Sequence, residues 1–304
     1  MLLALKILAA IVFYGTAIEP RIVDRLDERG VVPNLPASWE HQQVAVFADL
    51  QVGMWWSNTD AARRIVDRAV EIHPALVLIA GDFVYNATDD NIDDQIATVL
   101  SILHPLNENH IPTYGVLGNH DYNLMNENSE EENRFVHRVR VALDSAGIRM
   151  LDNRSLALPA PRGADTLVAR ADSASGAVLY LVGVGDKWAK NDRVERALSQ
   201  VPANAPRLIF MHDPDSFVKI PENQGPLVIA AHTHAMQIAV PWVSDWMWRH
   251  RFSDTGSGLE GWVATPNGKP GNRIYVNRGV GFSTFPARIN AVPELTVFTL
   301  EQVK

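Results

Sequence analysis

The chain has 304 residues, 47% of them apolar, with 27 Lys and Arg against 35 Asp and Glu for a formal charge of -8, and no cysteine. That length suffices for one large α/β domain or two small ones with a sizeable core, and the acidic balance argues against a general nucleic-acid binder, whose phosphates it would repel. Without cysteine there are no disulfides and no thiolate ligands, so a soft Cu(I) or iron–sulfur site is disfavoured.

In chain order, residues 1–18, "MLLALKILAAIVFYGTAI", are almost wholly apolar, with Lys6 as the one charge. Two readings stand side by side: a signal peptide with Ile7–Ala17 as its apolar stretch, or a retained anchor close to the roughly 20 residues a span needs. The first makes the protein exported and the second membrane-associated; a buried first helix is the third possibility. Residues 19–42 open with "EPRIVDRLDERG", charged and amphipathic, which predicts a linker helix at a surface or interface. The domain proper is expected over residues 43–304, after Pro33 and Pro36.

From there apolar runs alternate with helical patterns. "QVAVFADLQVG" is a strand ending near Asp49, and "DAARRIVDRAVEIHP" a helix stopped by Pro74. "ALVLIAGDFVYN" is a strand ending at Gly81-Asp82, followed by the helix "NIDDQIATVLSILHPL". "IPTYGVLGNHD" is a third strand, and "EENRFVHRVRVALDSAGI" a third helix closed by Gly147. Three such alternations are the pattern of βαβ units and a parallel sheet. Residues 162–176, rich in Ser, Ala and Gly, read as a hairpin or loop. "GAVLYLVGVGD", "APRLIFMHDPD", "GPLVIAAHTH" and "NRIYVNRGVGF" are further strands, with the helix "NDRVERALSQV" between the first two, and "PELTVFTLEQV" closes the chain as an edge strand. More strand and less helix in this half predicts a second sheet packed on the first.

Polar residues follow the apolar runs: Asp49 and Gln51, Asp82, Asn119-His120-Asp121, His212-Asp213, then His232 and His234. Any one of these is an ordinary loop residue; five sets in one chain are not. Open α/β sheets carry their sites at the carboxyl ends of strands. Carboxylates and imidazoles together hold hard to borderline divalent cations. Asp82 suits a bridge, since each of its oxygens can face one ion, and two cations about 3.5–4 Å apart clamp a transferring phosphoryl group. There is no GxxxxGK[ST] loop and no GxSxG elbow, which disfavours P-loop and serine-hydrolase chemistry.

"FADLQ", "GDFV", "GNHD", "MHDPD" and "AHTHAMQ" occur in the order and approximate spacing of the calcineurin-like metallophosphoesterase family, which residues 43–300 resemble. The resemblance implies an α/β fold, a four-layer αββα sandwich of two mixed β-sheets flanked by helices, and a centre of two divalent metal ions drawn from Mn, Fe, Zn or Mg. It places Asp49, Asp82 and His234 on the first metal, and Asp82, Asn119, His212 and His232 on the second. His120 would be catalytic, meeting a phosphoryl oxygen or protonating the leaving group, with Asp121 orienting it or packing beneath. The closing "NRGVGFSTFPARINAVPELTVFTL" resembles a membrane-associated bacterial subgroup of phosphodiesterase-like proteins and UDP-2,3-diacylglucosamine pyrophosphatases. The implied reaction is hydrolysis of a phosphodiester or pyrophosphate bond. Two departures stand out. Gln51 occupies a position where the family usually has His, and its carbonyl oxygen is a weaker ligand than imidazole. Ala231, Ala235 and Met236 replace the glycines usual around the two histidines.

Aromatic residues follow two of these motifs: Trp55 and Trp56 after the first, then Trp242, Trp246, Trp248 and Phe252 after the His232/His234 pair. Either they pack a long loop, or they form a rim that holds acyl chains or rests at a membrane interface. Arg249, with His250 and Arg251, would meet an anionic substrate or headgroups; Arg288 would bind phosphate, or else a structural carboxylate. With the apolar N-terminus, these features make the partners a phosphate-ester substrate, in the sharp version lipid-linked, and a membrane rather than nucleic acid; no oligomeric state is specified. The other classes are a general phosphomonoesterase, a metal- or phosphate-binding module without turnover, and a structural membrane protein.

Overall fold

The computed structural model describes residues 2–125, 133–264 and 268–303. Alternation at period two sorts its strands into two packed layers. In β2 (Gln43–Phe47) and β3 (Leu76–Ala80), Val44, Val46, Leu76 and Leu78 face a second sheet, while Ala45, Phe47, Val77 and Ile79 face helices. Six strands form the first sheet, in the order β1 (Asp24–Val32), β12 (Glu294–Gln302), β2, β3, β4 (Thr113–Val116) and β5 (Ile148–Met150). The second has β10 (Gly261–Val263), β11 (Ile274–Val276), β9 (Val228–Ala230), β8 (Arg207–Phe210), β7 (Leu179–Gly183) and β6 (Arg154–Leu158). Both are mixed. β2 to β5 run parallel, β12 is antiparallel to β2, and β6 and β10 are the antiparallel edges of the second sheet.

Helices α2 (Thr59–Ile72), α3 (Ile92–Glu108) and α4 (Asn133–Ser145) cover the outer face of the first sheet, with Ile65, Val66, Val99, Ile102, Val139 and Leu143 in one core. α2 ends where His73 turns left-handed before Pro74. The second sheet is covered more thinly, by α6 (Val194–Leu198) and a 3₁₀ segment, Pro214–Lys219, through Val194, Ala197 and Phe217. Each buried Val, Leu, Ile or Phe of these layers contributes about 1.5–3 kcal/mol relative to exposure. The result is the expected four-layer α/β sandwich.

Several local readings change. Residues 24–32, expected as a linker helix, are strand β1, paired in parallel along its whole length with β12. Its charged side chains alternate between half-buried and exposed, as a sheet edge allows. β12 is consequently not an edge: it lies between β1 and β2, and its first five residues are buried. Within residues 162–176 there is a helix, α5 (Thr166–Ser175), which Asp165 caps by accepting from the Leu167 and Val168 amides and Gly176 ends at φ 72°. "NDRVERALSQV" yields only the five residues of α6. Glu131 and Glu132 of the expected third helix lie outside the described residues.

At the N-terminus, α1 (Leu2–Phe13) buries no residue, which excludes a buried first helix. It runs on through a π turn and a 3₁₀ turn as one helical stretch of 20 residues, Leu2–Arg21, long and apolar enough to cross a membrane. Its far end is fastened to the domain. The Gly15 carbonyl accepts from the Arg288 amide at 2.8 Å, and buried Glu19 accepts from the Ala291 amide at 2.7 Å. The Pro20 carbonyl accepts from Asn58 Nδ2 at 2.9 Å.

Candidate metal centre

Tight turns at five strand ends deliver the polar side chains. Asp49, Gln51, Asp82, His232 and His234 all adopt positive φ, between 43° and 72°. For residues other than Gly this conformation costs about 1–3 kcal/mol, and it clusters where a structure aims side chains at one point. Asn119, His120 and Asp121 share a short 3₁₀ turn after β4.

His212 is the best-prepared group. Its Nδ1 lies 2.8 Å from the Ala80 carbonyl, which fixes the proton there and turns Nε2 inward. Around Nε2 stand Asn119 Oδ1 at 3.1 Å, His232 Nδ1 at 3.1 Å and Asp82 Oδ2 at 3.3 Å. Asn119 is oriented in turn, since its Nδ2 donates to the Leu124 carbonyl at 2.9 Å. Four donor atoms thus converge from four separate turns, a set that matches a borderline divalent cation.

On the other side of Asp82 the set is looser. Ligand atoms of Asp49, Asp82 and His234 lie within 4.8 Å of one another. Asp49 is fully buried, yet neither carboxylate oxygen has a hydrogen-bond partner among the described residues; His234 Nε2 is 3.3 Å from Oδ1. A buried carboxylate without donors is costly unless a cation neutralises it, so the residues fit a metal here too. Gln51 Nε2 lies 3.0 Å from Asp82 Oδ2 and 3.1 Å from His234 Nε2, while its Oε1 has no partner. Buried Arg288 places Nη2 3.1 Å from His234 Nδ1. A guanidinium only donates, so this contact holds the His234 proton on Nε2, the atom a cation would need.

Burial pushes the Asp82 carboxyl up, but His212 and His120 outweigh it and hold the group far below the carboxylate range. Asp49 is likewise penalised by burial and drawn below its ordinary value by His234. Burial lowers His232 to about 3, with His212 adding to the effect. His120 is lowered by burial against the opposing pull of Asp82, which favours the neutral ring. Its Nε2 is 3.9 Å from Asp82 Oδ2, its Nδ1 has no partner, and its ring packs on Tyr85 at 4.7 Å.

Asp121 does not face the cluster. Its oxygens accept from the amides of Asp82, Phe83, Val84 and Gly118 at 2.9–3.1 Å, so it binds the β3 and β4 turns together. Burial and Asp82 raise this carboxyl to about 8, with the Gly118 and Val84 amides pulling the other way. These four bonds place it beneath the turn that carries His120.

Gln51, Asp82, Asn119, His120, His232 and His234 line a cleft of about 190 Å³, together with Tyr85 and Trp188. An apolar groove of about 300 Å³ adjoins it, walled by Trp188, Met236, Trp248, Phe252 and Phe285. Trp188 packs on His232 at 5.1 Å and belongs to both walls. It follows an unremarked Gly-Asp-Lys turn, so no local pattern marked it. Trp55, Trp56, Trp242 and Trp246 line neither; they are exposed. Arg249 is a loop tie, with Nε on Asp245 at 2.7 Å and Nη1 on the Gly256 and Ala264 carbonyls. Arg288 donates to the Gly281, Arg278 and Ala291 carbonyls behind the cluster, and no carboxylate accepts from it among the described residues. Asp186 also lies beneath the site, fully buried and raised to about 7 by burial, and sequence reasoning missed it.

Comparison with known proteins agrees with this geometry. A family model described as calcineurin-like phosphoesterase matches residues 43–236. The chain is 30% identical over 231 residues to phosphodiesterase YaeI of Escherichia coli K12, covering 76% of this chain and 72% of that protein. It is 25% identical over 281 residues to UDP-2,3-diacylglucosamine pyrophosphatase LpxG of Chlamydia trachomatis, covering 82% and 81%. A Danio rerio protein named transmembrane protein with metallophosphoesterase domain matches at 26% over 310 residues, covering 99% of this chain and 62% of that one.

Proposed function

The chain belongs to the calcineurin-like phosphoesterase family and is a metal-dependent phosphoric ester hydrolase by that membership; from this premise we propose that it is a membrane-anchored enzyme cleaving a phosphodiester or pyrophosphate bond in a lipid-linked substrate. The convergence of Asp82, Asn119, His212 and His232 on one point, with the buried Asp49 carboxylate beside it, carries the reading.

Two cations would share Asp82. Asp49, His234 and Gln51 would complete the first site, and Asn119, His212 and His232 the second. When bound, such ions polarise phosphoryl oxygens and lower the pKa of water. The second site is ready to bind. The first is weakened twice, by an amide at Gln51 in place of an imidazole and by the hold of Arg288 on His234. His120, at the cleft wall and with its Nδ1 in no hydrogen bond among the described residues, donates to a phosphoryl oxygen or hands a proton to the departing oxygen. Asp121 holds the two turns that carry Asp82 and His120, so that their relative position survives substrate binding. The groove walled by Trp188, Trp248 and Phe252 takes the apolar part of the substrate.

The N-terminal segment is retained as the anchor in this reading, because Gly15, Glu19 and Pro20 are buried against the domain. The test is hydrolysis by the full chain in detergent, stripped with chelator and restored with Mn²⁺. A soluble aryl phosphodiester is compared with UDP-2,3-diacylglucosamine. Metal-restored turnover of both, with the lipid preferred, is expected. No turnover of either by metal-replete protein refutes the reading.

A further inference from the structure

Exposed apolar side chains are not scattered evenly over this molecule. Outside the N-terminal helix they collect on two loops and their neighbours: Trp55 at 74% exposure and Trp56 at 50%, then Trp242 at 90% and Trp246 at 55%, with Phe252 and Phe285 beside them. Elsewhere among the described residues, Met125, Val141, Leu167 and Val303 are exposed as single residues, and Ile22 directly follows the N-terminal helix. Single exposed apolar residues need no explanation, but a patch of rings does.

Both loops are bound to the place where the N-terminal helix leaves the domain. Asn58, three residues after the first Trp of its loop, donates to the Pro20 carbonyl and to Val280. Residues 237–239 pair with Ile289, whose flanking Arg288 amide donates to the Gly15 carbonyl; the Ile289 side chain packs directly on Gly15. The Trp242 loop starts three residues beyond that pairing. Both loops therefore adjoin the base of the apolar helix, and the patch reaches the groove through Phe252 and Phe285, which are among its walls.

We propose that these two loops form a second membrane contact, which seats the mouth of the active-site groove on the same lipid bilayer that holds the N-terminal helix, so that a lipid-linked substrate enters from the bilayer without first passing through water. This rests on the reading of the chain as a membrane-anchored hydrolase. Trp is the side chain best suited to the headgroup level, with an apolar body and one polar N–H. Exposed Arg251, beside Phe252, adds positive charge toward anionic headgroups.

Because the chain has no cysteine, single cysteines report position cleanly. W55C, W242C and E71C are each labelled with an environment-sensitive fluorophore and reconstituted as full chains into phosphatidylethanolamine–phosphatidylglycerol vesicles. Glu71 is exposed near the far end of α2, roughly 18 Å along the helix from Thr59. Labels at 55 and 242 are expected to shift their emission to the blue and lose most of it to a lipid-borne quencher, while the label at 71 does neither. Aqueous emission without quenching at both 55 and 242 overturns the proposal. Hydrolysis of a soluble aryl phosphodiester, measured on the same preparations, tests the hydrolase reading separately: turnover with aqueous labels rejects only the seating of the loops.

Discussion

Replacing Gly279 by alanine tests how the first half of the metal centre is held. Gly279 sits at φ 66°, and the residues after it bond to the turn that carries Asp49, Val280 N to Ala48 O at 3.0 Å and Gly281 N to Asp49 O at 2.6 Å. A Cβ at Gly279 would stand 2.7 Å from Asp49 Cβ and 2.8 Å from its Cγ, with Oδ2 closer still. The backbone conformation alone costs an L residue about 1–2 kcal/mol, and forcing a methyl into a filled space costs about 1–3 more. Gly176 provides the control. It has φ 72° and nothing within 4 Å of a built Cβ, so G176A carries the backbone cost alone. At roughly 2 °C per kcal/mol for a chain of this size, G176A lowers Tm by about 2–4 °C and G279A by about 4–10 °C in chelator. The displaced Asp49 weakens Mn²⁺ binding about tenfold or more in G279A, read by calorimetric titration, and leaves G176A unchanged. Equal Tm losses in the two variants, with Mn²⁺ affinity intact, would refute the claim that this glycine makes room for the Asp49 carboxylate.

H120A keeps its full metal content by atomic absorption while kcat falls by about 10²–10⁴; loss of metal instead would make His120 a ligand. Q51H supplies the first site with an imidazole and tightens its Mn²⁺ affinity about tenfold, and an unchanged titration would mean that Gln51 does not limit the site. Asp186, raised to about 7 by burial with His212 opposing, gives a pH signature. Its folded pKa lies above its unfolded value near 3.9, so its contribution is complete below about pH 4 and is lost as pH rises to about 7, by up to about 4 kcal/mol. Urea denaturation of the chelator-treated protein should therefore show stability falling across that window, and D186N should shrink the fall; an equal fall in D186N would discard the assignment.

The candidate centre was legible because its residues follow short apolar runs that read as strands, Val44–Phe47 before Asp49, Leu76–Ile79 before Asp82 and Leu208–Met211 before His212, and because those motifs together resemble one family. Local pattern sufficed there. It failed where long-range pairing decides the outcome. β1 is charged on both sides and reads as a surface helix, and only the arrival of β12 beside it makes it a strand. α5 has one buried residue, Asp172, which accepts from the Ser38 amide 134 positions away, so no apolar stripe announced it. Arg288 looked like a phosphate ligand because an arginine beside glycines in a site-forming loop often is one. Its actual acceptors are carbonyls brought round by the turn at residues 278–281 and His234 of another loop.

The position of β12 also dictates an order of events. Its register sets Thr296 opposite Val46, 250 residues apart, and the strand lies between β1 and β2. While the ribosome is still translating the middle of the chain, the apolar N-terminal helix has already emerged, but β2 has an open edge next to the turn that carries Asp49. Contacts at such separation form late. The edge of β2 beside the Asp49 turn is therefore closed only once residues 294–302 have been made, some 250 positions after the strand they cover.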